Sequence, residues 1–153
     1  MIDVGPASPR DPGAQALLEQ SHALMRRLFS PEDNHFLSLD ELEGDDIRFF
    51  AARDGETTLG TGALAIRDGY GEVKSMFTAE AARGRGVAAL ILAVIEREAR
   101  DLGLPLLRLE TGQGLDQAHR LYIRAGFTPR GPFGDYPMAD SSIFMEKALG
   151  PEA

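Results

Sequence analysis

Arg83-Gly84-Arg85-Gly86-Val87-Ala88 joins the end of one strand to the beginning of a helix, and the chain on either side is ordered by that junction. Two glycines let the backbone bend so that successive N–H groups point into one concavity, where the positive end of the helix dipole adds to them. Such a site holds phosphate oxygens. Arg83 and Arg85 either add charge-assisted contacts there or stand as solvated surface arginines. A P-loop needs a lysine and a hydroxyl directly after its glycines, and Val87 and Ala88 occupy those places, so that reading fails. A dinucleotide fingerprint is the nearer rival, because Gly84-x-Gly86-x-x-Ala89 matches it and Glu110 ends the next strand. Against it, Ala79 to Arg83 intervene between strand and glycines, and few residues follow Glu110 for the remaining strands. That reading and one in which the glycines only shape a turn stay open at this point.

Downstream, Val87 to Leu102 is apolar around most of its first half, becomes charged at Glu96, Arg97, Glu98 and Arg100, and stops at Gly103 with Pro105 beyond. This predicts a helix buried at its N-terminal half. Leu106 to Glu110 follows as a strand, Asp116 to Ala125 as a helix ended by Gly126, and Ile143 to Lys147 as a last strand. Upstream, Ile47 to Arg53, Thr58 to Ile66 and Glu72 to Thr78 are β-prone runs parted by Asp54-Gly55 and Asp68-Gly69, dipeptides that favour tight hairpin turns. They predict three consecutive antiparallel strands. Before them stand a short strand at Ile2 to Val4 and an amphipathic helix to about Phe29, with Asp11 as N-cap and Pro12 at its first position. Leu17, Leu18, Ser21, Met25 and Leu28 form its inner stripe. Ser30 to Asp46 is loop-like, with a helical turn at Leu39 to Leu42 capped by Ser38. The fold class is therefore α/β (α+β) with a mixed sheet, because the long helix returns the chain to pair the next strand roughly parallel to the one before.

The 153 residues suit one domain, 1–153, with 43% hydrophobic and 26% charged residues. No apolar run approaches the length of a membrane span, and Met1 to Arg10 lacks the basic start and apolar block of a signal peptide, so a cytoplasmic location is expected. There is no cysteine, which removes disulfides, thiolate metal sites and a cysteine nucleophile together. A formal charge of −8 argues against nucleic acid and is compatible with cationic or small-molecule acceptors, or simply with solubility. No metal is implied, since histidines are scattered and carboxylates do not recur at ligand intervals.

Three blocks in order resemble the GNAT superfamily of N-acetyltransferases. Arg83-x-x-Gly86-x-Ala88 fits its pyrophosphate motif, Glu72-Val73-Lys74-Ser75-Met76-Phe77-Thr78 looks like its fourth strand, and Ala118-x-x-Leu121-Tyr122-x-x-x-Gly126-Phe127 like its helix and turn. Leu109-Glu110-Thr111-Gly112, Pro132-Phe133-Gly134-Asp135-Tyr136 and Phe144-Met145-Glu146-Lys147 look like a subgroup of small bacterial members. The resemblance implies a mostly antiparallel sheet flanked by helices, with the fourth and fifth strands splayed. It implies acetyl-CoA as co-substrate, its amide-rich arm hydrogen-bonding the strand edge at Met76, Phe77 and Thr78. Arg83, Gly84, Arg85, Gly86, Val87 and Ala88 would take the pyrophosphate. The reaction implied is direct attack of a primary amine in a ternary complex, without an acyl-enzyme.

Such attack needs a base for the amine and an acid for the departing thiolate. The resemblance gives the first role to Glu72, through a water, and the second to Tyr122. The alternatives are a solvated carboxylate at the start of a strand and a packing tyrosine. Strand alternation predicts that Glu72, Lys74 and Met76 share one face. Lys74 then either lowers the pKa of Glu72 or holds an anionic group of the substrate. Leu115 stands where many relatives have a cofactor-contacting asparagine, with Gln113, Asp116 and Gln117 as substitutes at hand. His35, Phe133, Tyr136 and Ser142 are candidates for contact with a small-molecule or peptide amine, whereas His119 is expected on a helix surface. A homodimer is compatible with the resemblance. The alternative from another class is a CoA-binding or NAD-binding module without transferase activity.

Overall fold

Residues 1–150, which the computed structural model describes, run through β1 (Ile2–Pro6), α1 (Pro12–Leu28), α2 (Leu39–Leu42), β2 (Ile47–Asp54), β3 (Thr57–Ile66) and β4 (Gly71–Thr78). They continue through α3 (Val87–Asp101), β5 (Leu106–Gly112), α4 (Asp116–Arg124), β6 (Thr128–Arg130) and β7 (Ser142–Ala148). The strands form one mixed sheet in the order β1-β2-β3-β4-β5-β7-β6, antiparallel except between β4 and β5. The Asp54-Gly55 and Asp68-Gly69 turns close the meander, with both glycines at positive φ, 61° and 84°. α3 supplies the return that makes β5 parallel to β4, as its length requires.

Side chains alternate between two cores because the sheet is covered on both faces. Leu64, Val73, Leu107 and Leu109 face α3 through its Val87, Ile91, Leu92 and Ile95. Ala63, Ala65 and Phe49 face α1 and α2 through Ala14, Leu18 and Leu42. Ser38 caps α2 with a reciprocal capping box to Glu41. Asp11, by contrast, gives α1 no side-chain cap. Its carboxylate instead accepts from the backbone N–H of Ser8 at 3.1 Å and from Arg53 at 3.1 Å.

Two differences from the sequence expectation bear on the site. β6, which contains Pro129, forms a short edge strand beyond β7, where a missing N–H costs no ladder bond. The second lies inside β4. Thr61 pairs with Phe77 and Ala63 with Lys74, so Gly62 of β3 faces both Ser75 and Met76. Ser75 takes φ 57° at this bulge, and its carbonyl accepts from the buried Thr61 hydroxyl at 2.9 Å. The extra residue reverses the alternation after Lys74. Met76 consequently packs on the α3 core, where a Cβ on Gly62 would lie 2.7 Å from its sulfur. The expectation that Met76 shares a face with Glu72 and Lys74 is thereby corrected.

Candidate active site

β4 and β5 pair only at Gly71 with Leu107 and at Glu72 with Arg108, and then part. The edge of β4 from Val73 onward therefore has no partner on the β5 side, and a cavity of about 510 Å3 runs along it. Met76, Phe77 and Thr78 line one wall, Leu115, Asp116, Gln117, Ala118 and Tyr122 of the α4 region another, and Leu24 and Met25 of α1 close it from above. At its far end lies the glycine turn. Gly84 and Gly86 hold φ 85° and 77°, conformations that favour glycine, and Gly86 caps α3 without a side chain. The first amides of α3 are left without helical partners and aim their dipoles at this end of the groove.

Arg83, Gly84, Gly86, Val87 and Ala88 all line the groove, as does Arg124, which the sequence did not single out. Arg85 is turned away. Its guanidinium pairs with Asp54 at 3.1 Å and, unlike those of Arg83 and Arg124, is not part of the groove lining. Of the residues proposed to replace the absent asparagine at Leu115, Asp116 and Gln117 reach the groove. His119 is not a free surface residue: its Nε2 meets the carbonyl of Gly112 at 2.9 Å and ties α4 to the end of β5.

Tyr122 points into the groove from α4, only 6% exposed, with its ring edge-on to Phe127 at 5.7 Å. Its hydroxyl makes no hydrogen bond among the described residues. Burial, and then the charge of Glu110, push its phenol well above the ordinary tyrosine value, so it stays protonated through the neutral range.

Two residues back along β4 from Met76, a second cavity of about 530 Å3 opens beside Glu72 and Lys74, lined also by His35, Arg67, Tyr70 and Tyr136. Glu72 is 3% exposed. It accepts from the Tyr136 hydroxyl at 2.5 Å and from Arg67 Nε at 3.3 Å, with Lys74 Nζ 3.5 Å away. Lys74 Nζ donates to Tyr136 Oη at 2.7 Å and to the carbonyl of His35 at 2.8 Å. Of the two roles open to Lys74, acting on the Glu72 carboxylate fits this geometry better than holding an anion of the substrate, because its ammonium is already engaged by Tyr136 and the His35 carbonyl. Burial, reinforced by the Glu72 carboxylate, drives the Tyr136 phenol far above its ordinary value. Phe133 is buried behind this cavity as a wall, 5.2 Å from Tyr136 and 5.6 Å from Phe144 between ring centroids. The site thus gathers His35, Glu72, Lys74 and Tyr136 from three separate stretches of chain. Arg67, brought to Glu72 across the Asp68-Gly69 turn, escaped the sequence reading although the turn itself signalled the approach.

A family model for the Acetyltransferase (GNAT) family matches residues 15–127. The chain belongs to the GNAT family. It is 42% identical to the IAA acetyltransferase of Azospirillum brasilense over 97% of this chain and 98% of that protein. Among solved structures, an acyl-CoA N-acyltransferase assignment from Klebsiella pneumoniae superposes with a TM-score of 0.82 at 30% identity, covering 98% of this chain and 99% of that one. A PaiA N-acetyltransferase from Thermoplasma acidophilum, solved in complex with coenzyme A, gives a TM-score of 0.76 at 18% identity, covering 97% and 99%.

As a GNAT protein this chain is an acyl-CoA-dependent N-acetyltransferase with acetyl-CoA as its co-substrate. The groove presents an unpaired strand edge, the free amides at the start of α3 and the side chains of Arg83 and Arg124, groups of the kind that bind amides and phosphates. The dinucleotide reading falls with the topology, since that fold needs a largely parallel sheet and only the β4–β5 pair is parallel among the described strands. No helix among the described residues is long and apolar enough to cross a membrane.

Proposed function

We propose that this enzyme acetylates a small primary amine by direct attack within a ternary complex, Tyr122 protonating the departing thiolate and Glu72 receiving the amine proton through a water. The observation that carries this reading is that two cavities share β4, one along Met76 to Thr78 and the other at Glu72 and Lys74. Both cavities border the stretch of β4 that β5 has left, so a group held in one meets a group held in the other through the gap between the strands, near the bulge at Ser75. The second cavity, about 530 Å3, has the size of a small-molecule site rather than of an extended protein surface.

The proton balance assigns each residue its task. The acceptor's ammonium gives one proton through water to Glu72. Its nitrogen then bonds to the acetyl carbon, and the carbon–sulfur bond breaks as the tetrahedral intermediate collapses. Tyr122 gives its proton to sulfur, and the second proton shed by nitrogen restores the phenol. The unpaired amides of β4 near Met76 supply donors where negative charge develops on the acetyl oxygen.

Initial-rate measurements of CoA thiol release, varying acetyl-CoA against each of a panel of primary amines, test the ternary mechanism. Intersecting lines are expected with the amine that turns over. Parallel lines, the mark of an acetyl-enzyme, would contradict it.

A further inference from the structure

We propose that Glu110 is the carboxylate that anchors the acceptor's ammonium group, which makes the acceptor a primary amine that arrives as a cation. The proposal rests on the acyl-transfer reading given above and adds the group that recognises the amine.

Glu110 lies on β5 where β4 has already left it. Glu72 is paired with Arg108, and Glu110 two residues further stands on the same face, beyond the last β4–β5 pair and across the gap from Lys74. Its strand neighbour on the other side is Phe144 of β7, whose ring packs on Phe133 and Tyr136 at 5.6 and 5.5 Å. Burial, and after it the Glu110 carboxylate, raises the Tyr122 phenol. Glu110 thus stands at the gap between β4 and β5, beside an aromatic wall that also suits an alkylammonium ion.

The carboxylate is distinguished by what it lacks. Glu72 has Arg67 and Lys74, Glu96 has Lys147 and Arg100, and Glu146 has Arg108 and Arg130. Glu110 has only the Ser142 hydroxyl, donating at 2.8 Å, and no cation of the described chain pairs with it. Lys74, the nearest in the strand pattern, is held by Tyr136 and the His35 carbonyl. A partly buried carboxylate without a cation is costly, and an incoming ammonium removes the cost. His35, which lines the acceptor cavity, has its Nε2 buried and without a hydrogen-bond partner among the described residues.

Burial raises the Glu110 carboxyl above its ordinary value, with the Ser142 hydrogen bond opposing. A raised carboxyl means that the folded state holds the proton more tightly, so the cost of ionisation is absent below the unfolded value of 4.5 and grows as pH rises above it. Glu110→Gln removes the charge while keeping the shape and an acceptor for Ser142. The ligand-free variant is therefore expected to melt higher than the wild type at neutral pH, with the difference vanishing in mild acid.

The decisive experiment is calorimetric titration of wild type and Glu110→Gln, both saturated with CoA so that no turnover occurs, with 2-phenylethylamine and with its uncharged counterpart 2-phenylethanol. Wild type is expected to prefer the amine, and the substitution to weaken amine binding by about ten- to hundredfold while leaving alcohol binding within about threefold. Equal binding of amine and alcohol by wild type, binding of neither, or a preference that survives Glu110→Gln would overturn the proposal. Failure of the transferase reading is separate: an amine that binds through Glu110 yet releases no CoA thiol from acetyl-CoA would contradict acyl transfer and leave the anchor standing.

Discussion

Tyr122→Phe is expected to lower kcat by about 10²- to 10⁴-fold, the usual worth of a positioned proton donor, with the KM for acetyl-CoA little changed. The substitution removes one hydroxyl and nothing else. The ring is buried and edge-on to Phe127, a contact that phenylalanine keeps, and the hydroxyl has no hydrogen-bond partner among the described residues to lose. Stability should therefore move little, so a fall in rate reports chemistry. The raised phenol also fixes the pH behaviour: Tyr122 remains protonated through and above neutrality, and an alkaline limb near the ordinary tyrosine value should not appear in kcat. Steady-state kinetics with the thiol-release assay check both points. A kcat within about threefold of wild type would make Tyr122 a packing residue and move the donor elsewhere.

The second large effect concerns stability. Glu72→Ala should destabilise the protein by about 3–5 kcal/mol, because it leaves a buried cation uncompensated. Lys74 is 9% exposed and its ammonium would keep only neutral partners, while the Tyr136 hydroxyl would lose its acceptor. At about 2–4 °C per kcal/mol for a chain of this size, thermal melting should fall by roughly 6–20 °C. Lys74→Met in the Glu72→Ala background should restore much of the loss, since the pair is then removed together. A melting temperature within a few degrees of wild type in Glu72→Ala would show that the network is solvated rather than buried. The isosteric Glu72→Gln, which retains an acceptor for Tyr136, is the variant to read for the proposed base, through kcat in the thiol-release assay.

Most of the framework was legible because it is encoded locally. Asp-Gly turns, the Ser38-to-Glu41 capping box, the apolar first half of α3 and the paired glycines each act within a few residues, and each predicted element appears in place. What escaped depends on contacts across the chain. The bulge at Ser75 puts a serine where glycine or asparagine would have signalled a positive φ, and it is secured by Thr61, 14 residues away. Strand alternation, sound on either side of the bulge, therefore gave the wrong face for Met76. The site shows the same division. The residues of β4 and the glycine turn that line the groove were legible from their local motifs, Arg85 excepted, which pairs with Asp54 at 3.1 Å, whereas Leu24, Met25 and Arg124 reach the groove only through the fold. Glu110 entered the sequence reading only as the acid that ends β5 and as part of the Leu109-to-Gly112 block, because its significance lies in having no cationic partner among the described residues, and a missing partner leaves no trace in sequence.

Acyl transfer from acetyl-CoA requires that the glycine turn hold the co-substrate's phosphates, and calorimetric titration of wild type and Gly86→Glu with acetyl-CoA, with NADH and ATP as controls, addresses that most directly. Gly86 has φ 77° and lines the groove, so a glutamate there is both strained and of the wrong charge. The account predicts that wild type binds acetyl-CoA in preference to NADH and ATP and that Gly86→Glu abolishes this binding. Unchanged binding by the variant, or a wild type that prefers NADH, would contradict it.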